Sequence, residues 1–306
     1  MDNSIVTIKD YLAILDEKYA MASLTAKLDT PKEWTKEAEK SGAVYLATMD
    51  MDGLATTDRN GELVDGDVDL EWTLYELAHD RNRKFYIDNM DNKETMNVAF
   101  GRLADRFMAR KVVPEIDQWR FAKYAAGAET TVATTITTSA NALLAVNVAQ
   151  KTIFNSEASY VGSYFYCDFT FYNLIKDSIT FERLPNGQGV DREVPFLDKM
   201  EVVIVPENRF YSAITLKDGI TSEQTGGGYT QSGSLIQFMI IDPEAVAQTT
   251  SHTMSRFFAP NGPLAKSSGA DGVTPNRDAW SFDYRLYDDA FVEGNKTDGI
   301  YVQTVT

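Results

Sequence analysis

The sequence predicts an α+β protein, and three observations carry that prediction. Residues 89–128, NMDNKETMNVAFGRLADRFMARKVVPEIDQWRFAKYAAGA, read as one long helix interrupted by a proline. Short apolar runs read as buried strands: AVYLATM (43–49), YFYC (164–167), KMEVVIV (199–205) and LIQFMII (235–241). Between the first of these runs and the helix, Asn60-Gly61 sits in a stretch rich in Gly and Asp, the strongest short-range signal for a hairpin.

The helix is the element on which the others are arranged. Asp91 or Asn92 can cap its start, and Glu94 follows Asp91 at the spacing of a capping box. Met96, Ala99, Phe100, Leu103 and Phe107 recur at three- and four-residue intervals, which makes one apolar face. Pro114 lacks an amide hydrogen and clashes with the preceding turn, so a bend is expected there. Ile116, Trp119 and Tyr124 continue the stripe, and Gly127 can close the helix. Some 35 residues at about 1.5 Å each span roughly 50 Å.

The other elements follow in order. Residues 1–41 carry short helical patches, with Ile8, Leu12 and Leu15 on one face and a second helix expected from Pro31 to Lys40. The stretch has little core of its own and reads as an arm packed on another domain or subunit. After the long helix, Ser139 is expected to cap a helix to Asn155, with Leu143, Leu144, Val146 and Val148 as its apolar residues. A strand at 164–167, a short helix to Lys176, a strand from Ser178 to Arg183, a turn at 184–187 and a strand at 199–205 come next. Residues 219–234 read as a flexible Gly/Ser/Thr loop. Its three glycines lack the Lys-Ser/Thr and the helix of a phosphate-binding loop. Asp242-Pro243-Glu244 has the cap, proline and acid of a helix start, and a helix to about Thr250 is expected. A loop fills 259–279. The end of the chain alternates Trp280, Phe282, Tyr284 and Leu286, turns at 293–295, and returns through Ile300-Tyr301-Val302. It reads as a closing hairpin packed on the long helix.

Composition limits the function. The chain has 306 residues, 43% hydrophobic and 11% aromatic, enough for a real core. Its formal net charge of −16 argues against tight wrapping of nucleic acid, which draws affinity from Lys and Arg on phosphates. No apolar run is long enough to span a membrane, and MDNSIVTIKDYLAIL is too polar for a signal peptide. Cys167 is the only cysteine, which leaves no internal disulfide and no Cys-based metal site. Tyr166, Phe169 and Phe171 around it mark a core thiol. His79 and His252 are the only histidines, too few for a His-based zinc site or a catalytic triad. No catalytic, cofactor-binding or metal-ligating residues are therefore assigned, and the chain is not expected to be an enzyme.

Charge is unevenly distributed. Residues 50–80 hold ten acids against the single base Arg59, whereas residues 81–123 hold ten bases against six acids. Solvated surface explains both in the plainest reading. The sharper reading lays the acidic hairpin of one copy on the basic helix of the next, since complementary patches fix register and speed association. Candidate contacts are Asp58, Arg59, Glu62, Asp65, Asp67, Asp69 and Glu71 on the hairpin, and Arg102, Arg106 and Arg110 on the helix. Candidate packing residues are Leu103, Phe107, Trp119, Trp280, Phe282 and Tyr284. Alternating carboxylates at Asp65, Asp67 and Asp69 also suit a hard cation, but the full calcium-loop pattern and its closing Glu are missing.

The order of elements, together with LEWTLYELAHDRNRKFYIDNMDNKETM (70–96), VVPEIDQWRFAKYA (112–125), MEVVIVPENRFYS (200–212) and WSFDYRLYDDAFVEGNKTDGIYV (280–302), resembles the major capsid proteins of tailed bacteriophages. These have the Hong Kong 97-type fold, shared also by encapsulin shells. The resemblance implies an N-terminal arm at 1–41. It implies a peripheral domain at 42–135 and 279–306, with an extended loop at 50–80 and a spine helix at 91–126. It places an axial domain at 136–278. It further implies a virion shell assembled in the host bacterial cytoplasm from hexamers and pentamers around double-stranded DNA, with portal, scaffolding and possible decoration proteins as partners and no membrane. No lysine lies between Lys40 and Lys84, so the isopeptide cross-link some relatives form from the loop is not expected. A separate scaffolding protein and no maturation cut are expected. Two alternatives remain: an encapsulin-like compartment, and a soluble enzyme using carboxylates such as Asp65, Asp67 and Glu71. The latter carboxylates lack a partner His or Lys in the hairpin.

Overall fold

A computed structural model describes residues 23–28, 35–37, 43–56, 65–89, 103–186, 190–258, 279–294 and 296–306. The first part of the arm, the hairpin tip, the start of the long helix and the 259–278 loop lie outside these residues.

Among the described residues, three sheets are arranged around one long helix. The first sheet has the order β1-β2-β3, from β1 (Thr35–Glu37), β2 (Ala43–Met51) and β3 (Val68–Glu76). The second joins β4 (His79–Asp88), β12 (Val246–Phe258) and β13 (Ala279–Val292) in the order β12-β13-β4. The third is mixed and eight-stranded, ordered β5-β14-β11-β6-β9-β8-β7, with β10 (Tyr211–Leu216) paired to the first half of β11 (Tyr229–Ile241). Its other members are β5 (Thr130–Ala133), β6 (Tyr164–Asp168), β7 (Thr180–Asn186), β8 (Val190–Leu197), β9 (Met200–Val205) and β14 (Ile300–Thr304).

The helix is continuous through the described residues 103–127, but not uniform. It runs as α1 (Leu103–Phe107), a π-helical stretch (Met108–Val112) and α2 (Val113–Gly127). The π stretch precedes Pro114, where the proline ring would otherwise meet the carbonyl four residues back. The wider turn relieves that clash, and the Val113 amide donates five residues back to Met108. Where a proline bend is expected, the helix carries a π-bulge.

Burial explains the strand sequences. On one face of the large sheet, Phe165, Phe238, Ile240 and Tyr301 pack under α3 (Ser139–Asn155) and α4 (Phe169–Ile175). On the other, Tyr166, Met239, Ile241 and Val302 pack with Phe121 and Tyr124 of α2. Both faces of LIQFMII are therefore covered, which is why the run is continuously apolar. The thiol of Cys167 lies in the first core, and burial pushes its pKa up.

Several expectations are corrected. Thr35–Glu37, expected in a helix, is a strand pairing β2, because Ala43–Met51 offers it an edge. Thr138, not Ser139, is the N-cap residue of α3. That helix buries Ala142, Val146, Ala149 and Ile153, while Leu144 and Val148 are exposed. β7 extends through the expected turn residues to Asn186 because β8 pairs it over its length. β11 begins at Tyr229, inside the expected loop, because β10 supplies its partner. After Asp242, which does cap through its carboxylate, helix lasts one 3₁₀ turn (Pro243–Ala245). Val246 onward is strand, as its β-branched residues and the adjacent β13 favour. The closing hairpin does not form: β13 joins β12 and β4, whereas β14 joins the large sheet. β12 thus lies in the sheet of β4 and β13, and β14 in the large sheet.

Candidate functional site

The C-terminal half of the helix carries a polar face that is nearly all buried. Asp117 accepts from Ser23 Oγ (2.7 Å), Thr25 Oγ1 (3.0 Å), the Leu24 amide (3.3 Å) and Arg209 (3.2 Å). Arg120 donates to Thr25 Oγ1 (3.1 Å). Gln118 donates to the Tyr211 and Ala213 carbonyls and accepts from the Tyr211 amide. These bonds tie residues 23–25 and β10 to α2, so this part of the arm belongs to the core, where Leu28 is buried in one cluster with Phe121. Burying a charge is tolerated only when it is paired and hydrogen-bonded, and Asp117 is both.

A second cluster joins the helix to β4 and β13. His79 Nδ1 donates to Asp288 Oδ1 (2.6 Å), and its Nε2 lies 3.7 Å from Glu115, which accepts from Arg81 Nε (2.5 Å). Burial alone would lower the pKa of His79, but its hydrogen bond to Asp288 and the negative charges of Asp288 and Glu115 outweigh burial and raise it to about 9. Burial pushes Glu115 upward, while His79 and Arg81 bring it below its ordinary value. Trp119 stacks on His79 at 4.8 Å between centroids and donates from Nε1 to Asp289 (2.8 Å), which also accepts from the Ala78 amide.

The N-terminal half of the described helix differs. Ala104, Met108, Val112 and Ile116 pack on Phe282, Tyr284 and Leu286 of β13, with Phe85, Leu103, Phe107 and Phe257 around them. Phe107 meets Phe85 edge-on at 5.0 Å and Tyr284 at 5.6 Å. Beside this seam a groove of about 580 Å³ opens between β4, the helix and the loop 217–228. Arg81 fastens the loop by donating to the Lys217 and Gly228 carbonyls (2.9 and 3.0 Å), and Arg83 donates to Thr225. Apolar side chains including Phe85, Phe107 and Ile116 line the groove, together with Arg81, Arg83, Arg106, Arg110, Lys111 and Lys217; its carboxylates are Glu115 and Asp218. Glu115 is paired with Arg81, and Asp218 is occupied by Thr221 and the Ile220 amide. The rim is therefore cationic.

The hairpin stands apart from this. At its root Val44 and Leu46 of β2, with Tyr75 of β3, pack against Leu77, Ala247, Tyr287 and Phe291. Cross-strand partners share a face, and successive residues alternate. Met49 lies opposite Leu70, and Met51 opposite Val68. All four are more than half exposed, as Leu54 is fully. Asp69 and Glu71, exposed as well, occupy the opposite face.

Of the candidate contact residues, Asp65, Asp67, Asp69, Glu71, Arg106 and Arg110 are exposed. Asp58, Arg59, Glu62 and Arg102 lie outside the described residues. Arg106 and Arg110 share the groove rim. Among the candidate packing residues, Phe282 and Tyr284 are buried, and Leu103, Phe107, Trp119 and Trp280 are partly so. Sequence reasoning missed the His79–Asp288 pair and the Asp117 hub. The signal for the first was the Asp288-Asp289 pair interrupting an apolar alternation in β13, which calls for buried donors. Among the described residues no cluster of three or more His, Cys, Asp or Glu is placed to hold a metal, and no described helix is long and apolar enough to cross a membrane.

No protein-family model matches the chain, nor does any curated protein. Solved structures do. A structure from Mycobacterium phage Che8 aligns with TM-score 0.57 at 13% identity, over 92% of this chain and 90% of that one. The capsid structure of Cyanophage P-SCSP1u aligns with TM-score 0.56 at 13% identity, over 89% and 85%. The mature capsid of bacteriophage PhiM1 aligns with TM-score 0.52 at 12% identity, over 88% and 83%. The chain has the α+β, Hong Kong 97-type fold of phage capsid proteins.

Proposed function

We propose that this chain is a structural shell subunit that assembles in many copies into the icosahedral head of a tailed phage enclosing double-stranded DNA. The observation that carries the reading is the hairpin. A subunit working alone would not expose Met49, Met51, Leu54, Val68 and Leu70 along one arm, because contiguous apolar surface marks an interaction site. The fold it shares with phage capsids supports further copies of this chain as the partner, and hexamers and pentamers are the arrangement proposed.

In this reading the helix is a beam, fixed by the Asp117 and His79 clusters, and the hairpin is a strap laid over a neighbour. The large sheet with α3 and α4 forms the axial unit, and the β12-β13-β4 sheet with the hairpin forms the peripheral one. The net charge of −16 suits a lining that touches packaged DNA weakly and without sequence preference. Scaffolding and portal proteins complete the assembly. Size-exclusion chromatography with light scattering, followed by negative-stain microscopy, tests the proposal. Capsomers or closed particles are expected; a clean monomer at all concentrations, with and without scaffold, overturns it. A denaturing gel of particles is expected to show single-chain bands and no ladder.

A further inference from the structure

We propose that the groove between β4, the helix and the 217–228 loop binds a monomeric anionic amphiphile, one carboxylate or sulfate head on an unbranched apolar chain. The chain lies on the floor at Phe85 and Phe107, and the head meets Arg106, Arg110 and Lys111. The site belongs to a single subunit and stands whether or not the chain assembles.

Both walls of the groove are held in place. The helix supplies one, through Leu103, Phe107, Val112 and Ile116. The 217–228 loop supplies the other, and β4 fixes it there: Arg81 donates to the Lys217 and Gly228 carbonyls, and Arg83 to the Thr225 carbonyl. Gly219 and Gly227, at φ +74° and +61°, let the loop run close to Arg83, whose Nη1 would lie 3.0 and 3.4 Å from a Cβ at these positions. The cleft between the walls measures about 580 Å³. Small-molecule pockets span about 300–1,000 Å³. Phe85, Leu103 and Phe107 belong to the apolar seam but remain half-buried, so the floor offers apolar surface to a ligand.

The polar lining sets the charge of the ligand. Glu115 is held by Arg81, His79 Nδ1 is bound to Asp288, and Asp218 is occupied by Thr221. These groups are satisfied within the subunit. Arg106, Arg110 and Lys111 stand exposed at the rim and form no ion pair among the described residues. A neutral apolar ligand leaves these cations unmatched. A bare anion such as phosphate satisfies them and leaves the apolar floor wet. A nucleotide would press the polar edges of its base and sugar on a floor of apolar side chains, which strands their hydrogen-bonding groups. An anionic head on an apolar chain matches both parts of the groove. The rim then orients the head, and burial of the chain supplies most of the affinity.

Equilibrium dialysis of radiolabelled dodecanoate, below its micellar concentration, tests this on the full chain held too dilute to associate. Saturation at one dodecanoate per chain is expected, with octanoate binding at least about tenfold more weakly because four methylenes are lost. Arg106→Gln with Arg110→Gln should weaken dodecanoate about tenfold, and by less at high salt. Gly226 lines the groove, and a Cβ there meets nothing within 4 Å, so Gly226→Trp can be introduced without displacing a neighbour and should weaken binding by narrowing the mouth. Met51→Ser with Leu54→Ser, on the exposed hairpin, should leave binding unchanged. Circular dichroism checks that each variant folds, and either groove variant suffices if the other does not. Loss of binding in the hairpin variant, with retention in the groove variants, moves the site to the hairpin and overturns the proposal. Equal affinity for inorganic phosphate, binding to anionic phospholipid vesicles but not to monomeric dodecanoate, or no saturable binding at all overturns it as well.

Discussion

The two halves of the long helix share one backbone but do opposite work. From Val113 to Gly127 nearly every polar group is buried and matched: Asp117 to residues 23–25 and Arg209, Gln118 to β10, Trp119 to Asp289. From Leu103 to Val112 the buried face is wholly apolar, and the polar face, with Arg106, Arg110 and Lys111, is exposed. The π-bulge marks the change. A polar residue on this helix therefore stabilises the subunit in one half and is free to serve another molecule in the other. Substitutions along the helix can break that contrast.

The largest effect is expected at Asp117. Replacing it by Ala strands the arm hydroxyls and leaves Arg209 without its carboxylate, at a cost of about 3–5 kcal/mol. Urea denaturation should show the loss, together with release of residues 23–28 to proteolysis. A loss below about 1 kcal/mol would mean that the buried face is not what holds the beam.

His79 comes next and carries a pH dependence. Its folded pKa, about 9, lies above the ordinary 6.5, so the protonated form is stabilised by folding. That stability is fully present below pH 6.5 and is lost as pH rises through 9. Integrated over the shift, it amounts to about 3 kcal/mol. Glu115 has the opposite sign: its folded pKa is lowered, so its contribution is present above its ordinary value of 4.5 and is lost as pH falls through the folded value. The stability gap between the wild type and His79→Gln should narrow between pH 6.5 and 9. A gap constant between pH 6.5 and 9 would show that folding does not raise the proton affinity of His79.

What could be read from the sequence divides along the same line. Strands covered on both faces, such as LIQFMII, announce themselves, and so does a helix with a repeating apolar face. Arg106 and Arg110 were legible because their spacing of four residues puts them on one side of a helix. β12 was not, because Asp242-Pro243-Glu244 is a sound local start for a helix and only the presence of β13, far along the chain, overrules it. The His79–Asp288 pair spans 209 positions, and no local pattern joins its ends. On the hairpin, ten acids across residues 50–80 make charge the dominant signal in the letters. The alternation that sets Met49 and Met51 against Leu70 and Val68 was present in the letters, but it needs the register to be seen as a face.

Gly127 gives a middling effect and sharpens the comparison at the committed end of the helix. A Cβ there would lie 2.6 Å from Val292 Cγ2 of β13. The glycine closes the helix by permitting that approach, with an ordinary φ. Gly127→Ala should cost about 1–3 kcal/mol through overpacking, and Gly127→Ala combined with Val292→Ala should recover part of it. Absence of recovery would place the strain elsewhere.

The smallest effect on stability, and the one that isolates function from folding, is expected at the uncommitted end. Arg106→Ala with Arg110→Ala removes two exposed cations that form no ion pair among the described residues, so the midpoint of denaturant unfolding should move by less than about 0.5 kcal/mol. Association should nonetheless suffer, because two cations free to meet the acidic residues of a neighbouring copy are lost. Light scattering should find the onset of assembly at higher protein concentration, and the difference from wild type should shrink as salt screens the attraction. If the double variant unfolds early, those arginines belong to the same structural class as Arg120. If it assembles like the wild type at low salt, these two charges play no part in association.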